Sequence, residues 1–429
     1  MSDSRDMRSV SISTRAVVVA LAASLAVASV PVGAAPATPA FGPLIEGLQP
    51  YQGQSACKPK AKPGVKRFAK LLEAAYGDSW FGISRGCEVG GKSEHKEGRA
   101  LDWAMDATDP ADRAKVDDLF AWLSAADAYG NEQAVARRIG LMYVIWDRQM
   151  WSSWTGGWEV ICVQKKGKCV DPDDGHEVHP HRDHVHFTFS WQGARRRTSF
   201  FQPDRSWMAG IATSGSGYLL LGGDGSVTET SPYQQSVGPA PGREAVTGIA
   251  ATPSGAGYWR VTRRGQVLTS GDAPFLGRVT RKKGKLVDVE GTASGSGYWL
   301  VGKGGRIDAF GDATNHGGGK GAKIVGMART PSGQGYLLFS RTGAVLAFGD
   351  AAVAGDLSGT TDPVVAGAVH PGGGYWLLTE GGHVAAFGGA PALGDAPGVA
   401  PAMGIAASES GNGYWVAGRS GAVQLVGAA

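Results

Sequence analysis

The sequence predicts two units of different class: an α+β domain over residues 56–205, then an all-β repeat domain over 206–429. Three observations separate them. Helical and alternating apolar patterns intermix up to about residue 205. Beyond it glycine becomes dense and helix signals stop. A Gly-Tyr or Gly-Tyr-Trp element then recurs at Tyr218, Tyr258, Tyr298, Tyr336, Tyr375 and Tyr414, at intervals of 40, 40, 38, 39 and 39 residues. Such a period, with several short strands per unit, marks a propeller-like or related β-array. About six repeats of about 40 residues favour six blades.

The elements follow in order. Arg5, Arg8 and Arg15 precede an apolar run from Ala16 to Val30, and small residues follow through Ala35. Residues 1–35 therefore read as a signal peptide. The apolar run is shorter than the roughly 20 residues that a spanning helix needs. The expected product is exported, extracellular or cell-wall associated, with no membrane span after cleavage. Residues 36–55, rich in Pro and Ala, read as a linker. Val65, Phe68, Leu71 and Leu72 give a helix over Pro63 to Ala75. Asp109-Pro110 caps a second helix running to about Ala126, with Val116, Leu119, Phe120 and Leu123 on one stripe. Asn131 to Arg138 is a third, shorter helix. Leu141 to Trp146 is a buried strand that Arg148 to Trp151 extends.

Each unit of the repeat domain carries three clear strands, and a weak fourth falls near Pro274 to Gly277. The last copy stops after its third strand, which leaves the segment near Phe200 to Trp207 to complete it. The repeated Tyr-Trp pairs read as core between units rather than as carbohydrate platforms, because packing demands the same residue in every copy.

Two segments carry the chemistry. In Ser93-Glu94-His95-Lys96-Glu97-Gly98-Arg99-Ala100-Leu101-Asp102, the run after Gly98 alternates. Leu101, Trp103 and Met105 face one way; Ala100, Asp102 and Ala104 face the other. In Asp183-His184-Val185-His186, His184, His186, Thr188 and Ser190 share the polar face of a half-buried strand. Asp183 joins them only if it lies before that strand or at a bend. Two imidazoles and a carboxylate suit zinc, and three protein ligands leave a fourth position for water.

These residues resemble the metallopeptidase superfamily of lysostaphin, D-alanyl-D-alanine carboxypeptidases and the Hedgehog signalling domain. Ser93, His95, Gly98, Ala100 and Asp102 match the carboxypeptidase signature Ser-x-His-x-x-Gly-x-Ala-x-Asp. His184-Val185-His186 matches the superfamily's His-x-His. Residues 56–205 look more closely like a family of secreted actinobacterial proteins. The resemblance implies His95, Asp102 and His186 as zinc ligands. It places Asp183, three residues before the last ligand, as the base, whereas strand alternation favours His184. Arg85 is a candidate for polarising a substrate carbonyl. Ser93 and His181 are candidate substrate contacts; His179 and His181 lie in a loop before the strand and read as solvated residues, with support of the metal ligands as the alternative. The resemblance implies a secreted zinc metallopeptidase, a carboxypeptidase or endopeptidase acting on D-amino-acid bonds of peptidoglycan or a related cell-wall polymer. The alternative is a non-catalytic zinc-containing wall protein that binds through its propeller.

Four cysteines in an exported chain should be oxidised. Of three connectivities, Cys57–Cys87 and Cys162–Cys169 are favoured, and no Cys-x-x-Cys spacing supports a cysteine metal site. The formal net charge is +4. The basic clusters Arg195 to Arg197 and Arg281 to Lys285 stand alone, so no nucleic-acid partner is expected. They read as solvated loops, with a mild attraction to anionic wall polymers as the alternative.

Overall fold

The structure, a computed structural model, describes residues 35–77, 81–170, 179–230, 238–240, 244–279 and 285–428. The expected signal segment, apart from its last residue, and most of the Arg281 cluster lie outside them.

The first unit is one six-stranded antiparallel sheet with helices on one face. Its strands are β1 (Phe81–Gly82), β2 (Ala100–Ala104), β3 (Leu141–Trp146), β4 (Gln149–Ser152) and β5 (Trp158–Val160), followed after a separate β6–β7 hairpin (Val163–Lys165, Lys168–Val170) by β8 (His184–Phe189). The order across the sheet is β1-β2-β8-β3-β4-β5. Helices α1 (Pro63–Tyr76), α2 (Pro110–Ser124) and α3 (Ala134–Ile139) cover it. Pro63 and Pro110 start two of these helices, where a missing amide hydrogen costs nothing. Val65, Phe68, Leu72, Val116 and Leu119 pack with Leu101, Trp103, Val185, Phe187 and Phe189 in one core. Because side chains alternate along a strand, the residues between these point to the opposite face.

Two details differ from expectation. Asp147 and Arg148 both have positive φ, 41° and 71°. This two-residue turn folds β4 back on β3 as a hairpin rather than extending it. The segment over 36–55 is no free tether. Arg138 donates to the carbonyls of Gly42 and Leu44, and the amide and hydroxyl of Ser199 donate to Glu46. Both expected disulfides are present, Cys57–Cys87 and Cys162–Cys169, the second closing the β6–β7 hairpin.

The second unit is β-rich and repetitive. The described residues form six three-stranded antiparallel sheets. Their first strands are Met208–Ser214, Val246–Ala251, Leu286–Gly291, Ile324–Arg329, Val364–Val369 and Ala402–Ala407. The first strand of each sheet neighbours that of the next, and the sixth neighbours the first. Together they surround a cavity of about 660 Å³. No strand occurs over 274–277, and Pro203–Ser206 is a 3-10 turn rather than a completing strand. The Tyr-Trp pairs are core, as expected. Trp259, Trp299, Trp376, Tyr298, Tyr336, Tyr375 and Tyr414 are fully buried. Tryptophan of one sheet meets tyrosine of the next at 5.7 Å (Trp259–Tyr298), 5.7 Å (Trp299–Tyr336) and 5.2 Å (Trp376–Tyr414). Trp415 of the last sheet meets Tyr218 of the first at 5.8 Å.

Among the described residues no helix is long and apolar enough to cross a membrane.

Candidate metal centre

Strands β2 and β8 pair with Asp102 opposite His186 and Ala104 opposite His184. This register puts Asp102, His184 and His186 on the face away from the helices. His95 arrives from a short 3-10 turn, Glu94–Glu97. Ser93 Oγ caps that turn by accepting from the His95 amide at 3.3 Å. Gly98 follows with φ 66°, and a Cβ there would lie 2.2 Å from the Lys60 carbonyl oxygen. Only glycine fits both conditions, which explains its place between the two motif residues.

The three expected ligands converge. His95 Nε2 lies 3.1 Å from Asp102 Oδ1 and 3.3 Å from His186 Nδ1, and His186 Nδ1 is 2.7 Å from the same Asp102 oxygen. The Nδ1 of His95 is 3.0 Å from the Ile83 carbonyl. Donation there fixes the tautomer and leaves Nε2 with a free lone pair. Bonds of about 2.1 Å in a tetrahedral site put donors roughly 3.4 Å apart, so the two His95 contacts are nearly at that spacing and the His186–Asp102 contact must open by about 0.7 Å. The donor set fits zinc.

Burial opposes ionisation of Asp102, but the His186 and His95 imidazoles against it outweigh that cost and hold the carboxyl well below the usual carboxylate range. Burial pushes His186 down despite Asp102 beside it. Both groups are thus kept in the forms that bind a metal. Burial, with His186 nearby, also pushes His181 down to about 3.

The remaining candidates fall into place around this centre. His184 directs Nε2 to 3.6 Å from Asp102 Oδ1. Its Nδ1 is 2.9 Å from Asp183 Oδ1. Asp183 precedes β8, as participation requires, yet its side chain is 73% exposed and its contact is with His184 rather than with the three donors. His181 stacks 5.7 Å from His186 and 4.9 Å from His184. The Arg85 amide donates to the His95 carbonyl at 3.3 Å, while its side chain is exposed.

Sequence reading missed the scaffold beneath the motif. Buried Arg99 binds Glu97 at 2.7 Å and reaches Glu94 at 3.7 Å. Glu97 in turn accepts from the amides of Ser55 and Ala56. Glu94 accepts from the Tyr143 hydroxyl at 2.8 Å, and the Tyr143 ring lies 5.8 Å from His186. Tyr51 and Trp154 continue this aromatic wall, 6.3 Å and 6.2 Å from Tyr143. Both are exposed. The one signal for them in the sequence is the tryptophan-rich stretch from Trp151 to Trp158; Tyr51 lies in the expected linker.

Residues 57–166 match the family model described as VldE, C-terminal domain. That match takes in His95 and Asp102 and stops before β8. No curated protein matches the chain. Among solved structures, the chain described as YCF48 bound to D1 peptide is 14% identical, with a TM-score of 0.36, covering 53% of this chain and 79% of that one.

Proposed function

We propose that the first unit is a secreted zinc metallopeptidase acting on peptidoglycan peptides that contain D-amino acids. The observation that carries the reading is the convergence of His95 Nε2, Asp102 Oδ1 and His186 Nδ1, with the His184–Asp183 pair at the rim. The substrate class rests on the resemblance of the two motifs. The two disulfides fit an oxidising, extracellular setting.

A zinc ion held there supplies a polarising charge and a water of lowered pKa. The chain's own groups do the rest. His184 Nε2 faces the donors and is positioned to take a proton and hand it to the leaving amine. Asp183 is a positioning residue: it holds the His184 ring by Nδ1 and leaves Nε2 directed toward the donors. The wall of Tyr143, Tyr51 and Trp154 gives a substrate an apolar surface beside the donors.

For the second unit, the ring of neighbouring first strands and the Trp415–Tyr218 contact support a closed six-bladed propeller serving as a binding or spacing module. The deciding experiment is incubation of the purified protein on muropeptides, with zinc and with chelator, followed by mass spectrometry. Chelator-sensitive release of an amino acid or peptide is expected. Unchanged muropeptides with zinc bound would leave the wall-binding reading in its place.

A further inference from the structure

We propose that His179, His181 and His184 form a second divalent-cation site beside the first, selective for ions that favour imidazole, such as zinc. Each residue offers a ring nitrogen, and these atoms lie within 4.8 Å of one another. The ring centroids form a triangle with sides of 4.8, 5.5 and 4.9 Å. That spacing matches the 5.1 Å between His95 and His186 in the first centre.

Two of the rings are already oriented. His184 Nδ1 is held by Asp183, and His181 Nδ1 lies 2.9 Å from the His179 carbonyl. Each therefore keeps Nε2 as its free atom, the arrangement that metal-binding histidines adopt. His179 accepts from the His181 amide at Nδ1, a 3.1 Å bond it can exchange for an ion.

The loop carrying them is fixed. His181 has φ 46°, unusual for a residue with a side chain. Its carbonyl accepts from the Asp147 amide and that of Pro180 from the Arg148 amide, both at 2.8 Å, which ties the loop to the β3–β4 turn. Two carboxylates flank the imidazoles: Asp102 at 3.6 Å from His184, and Asp183 at 4.0 Å from His179. Three imidazoles between two anionic groups attract a borderline cation, and zinc, copper and nickel suit such nitrogen donors.

One consequence rests on the proposed function; the site itself does not. His184 belongs to both arrangements. A cation on its Nε2 occupies the lone pair that would take a proton, so excess zinc should inhibit the hydrolase.

The test is metal stoichiometry on the chelator-stripped full-length chain, by equilibrium dialysis against zinc and elemental analysis. Wild type should hold two ions. His179→Ala, an exposed substitution, should hold one. His95→Ala should also hold one, lost when the two changes are combined. An unchanged count in His179→Ala, or a single ion in wild type that His95→Ala removes, would overturn the second site. A single ion lost in His179→Ala and kept in His95→Ala would instead overturn the first. Muropeptide turnover is a separate readout: inhibition by excess zinc in wild type, relieved in His179→Ala, is expected.

Discussion

His95 is held at both ring nitrogens, by the Ile83 carbonyl on one side and by Asp102 and His186 on the other. His95→Ala and Asp102→Ala should each abolish zinc binding at this centre. Thermal unfolding with and without zinc should show the wild type stabilised more by the ion than either variant, since an ion bound only to the folded state adds stability by mass action. A second contrast lies at the rim. His184→Ala should keep the first ion and lower turnover by about 10²-fold or more, the usual scale for losing a proton carrier. Asp183→Asn should cost less and move the pH profile, because it frees the ring without removing it. Equal rates in His184→Ala and wild type would end that assignment. The donors were legible because motif spacing and strand alternation act over a few residues. Glu94, Glu97 and Tyr51 were not, because the contacts that place them join segments 40 or more residues apart, such as Ser55 to Glu97, Tyr143 to Glu94 and Tyr51 to Tyr143.

At the scale of elements, the 3-10 turn carrying His95 stands on buried charge. Arg99 lies between two buried carboxylates and also donates to the carbonyls of Gln52 and Phe189. Arg99→Met leaves Glu94 and Glu97 without their cation. The loss should be about 3–5 kcal/mol in denaturant unfolding, the usual cost of breaking a buried pair. In the repeat domain, the strand Leu286–Gly291 departs from its neighbours. Asp288 stands where Gly210, Gly248, Gly326 and Gly404 line the central cavity. Burial pushes its carboxyl up to about 8; the Met327 amide, donating at 3.1 Å, lowers it and nearby Glu290 raises it. The folded chain then binds a proton that the unfolded chain releases near pH 4, so this residue makes stability fall as pH rises from about 4 to 8. Asp288→Asn should flatten that slope in melting temperatures measured across the range; an unaltered slope would mean that the group ionises normally. The helices α1 and α2 were read to within two residues because their caps and apolar stripes are local. The β3–β4 turn was missed because Asp147-Arg148 takes positive φ without glycine.

At the scale of the molecule, the two units meet through a narrow joint. The Ser206 carbonyl and hydroxyl accept from the amides of Leu44 and Gly42. Arg205 donates to the Glu244 carbonyl at 3.3 Å, and Asp204 pairs with exposed Arg263 at 3.0 Å. Tyr129 and Trp207 touch edge to face at 6.5 Å. These contacts are few beside the aromatic packing between successive sheets. Exposed ion pairs such as Asp204–Arg263 contribute about 1 kcal/mol or less. The last and first sheets, by contrast, hold each other through the Trp415–Tyr218 contact, the Met208 amide donating to Arg419, and the Thr213 hydroxyl donating to Ala407. Residues 206–429 should therefore fold alone, with a β-type circular dichroism spectrum and a cooperative melt. A fragment starting at 216 should not, because it lacks the strand Met208–Ser214 and with it the partner of the last sheet. In a nearest-neighbour array the terminal interface sets whether the remaining units stay ordered. Equal melting of the two fragments would mean that the sheets stand independently and that the contact between the sixth and the first adds nothing. Residues 56–205 alone should keep hydrolase turnover, since every donor belongs to that unit, but bind substrate more weakly because Tyr51 lies outside it. Their melting temperature should drop, because Gln49, Gln52 and Gln54 brace Ser153, Arg99 and Ser93 from outside that boundary. Extending the fragment back to residue 36 should restore it.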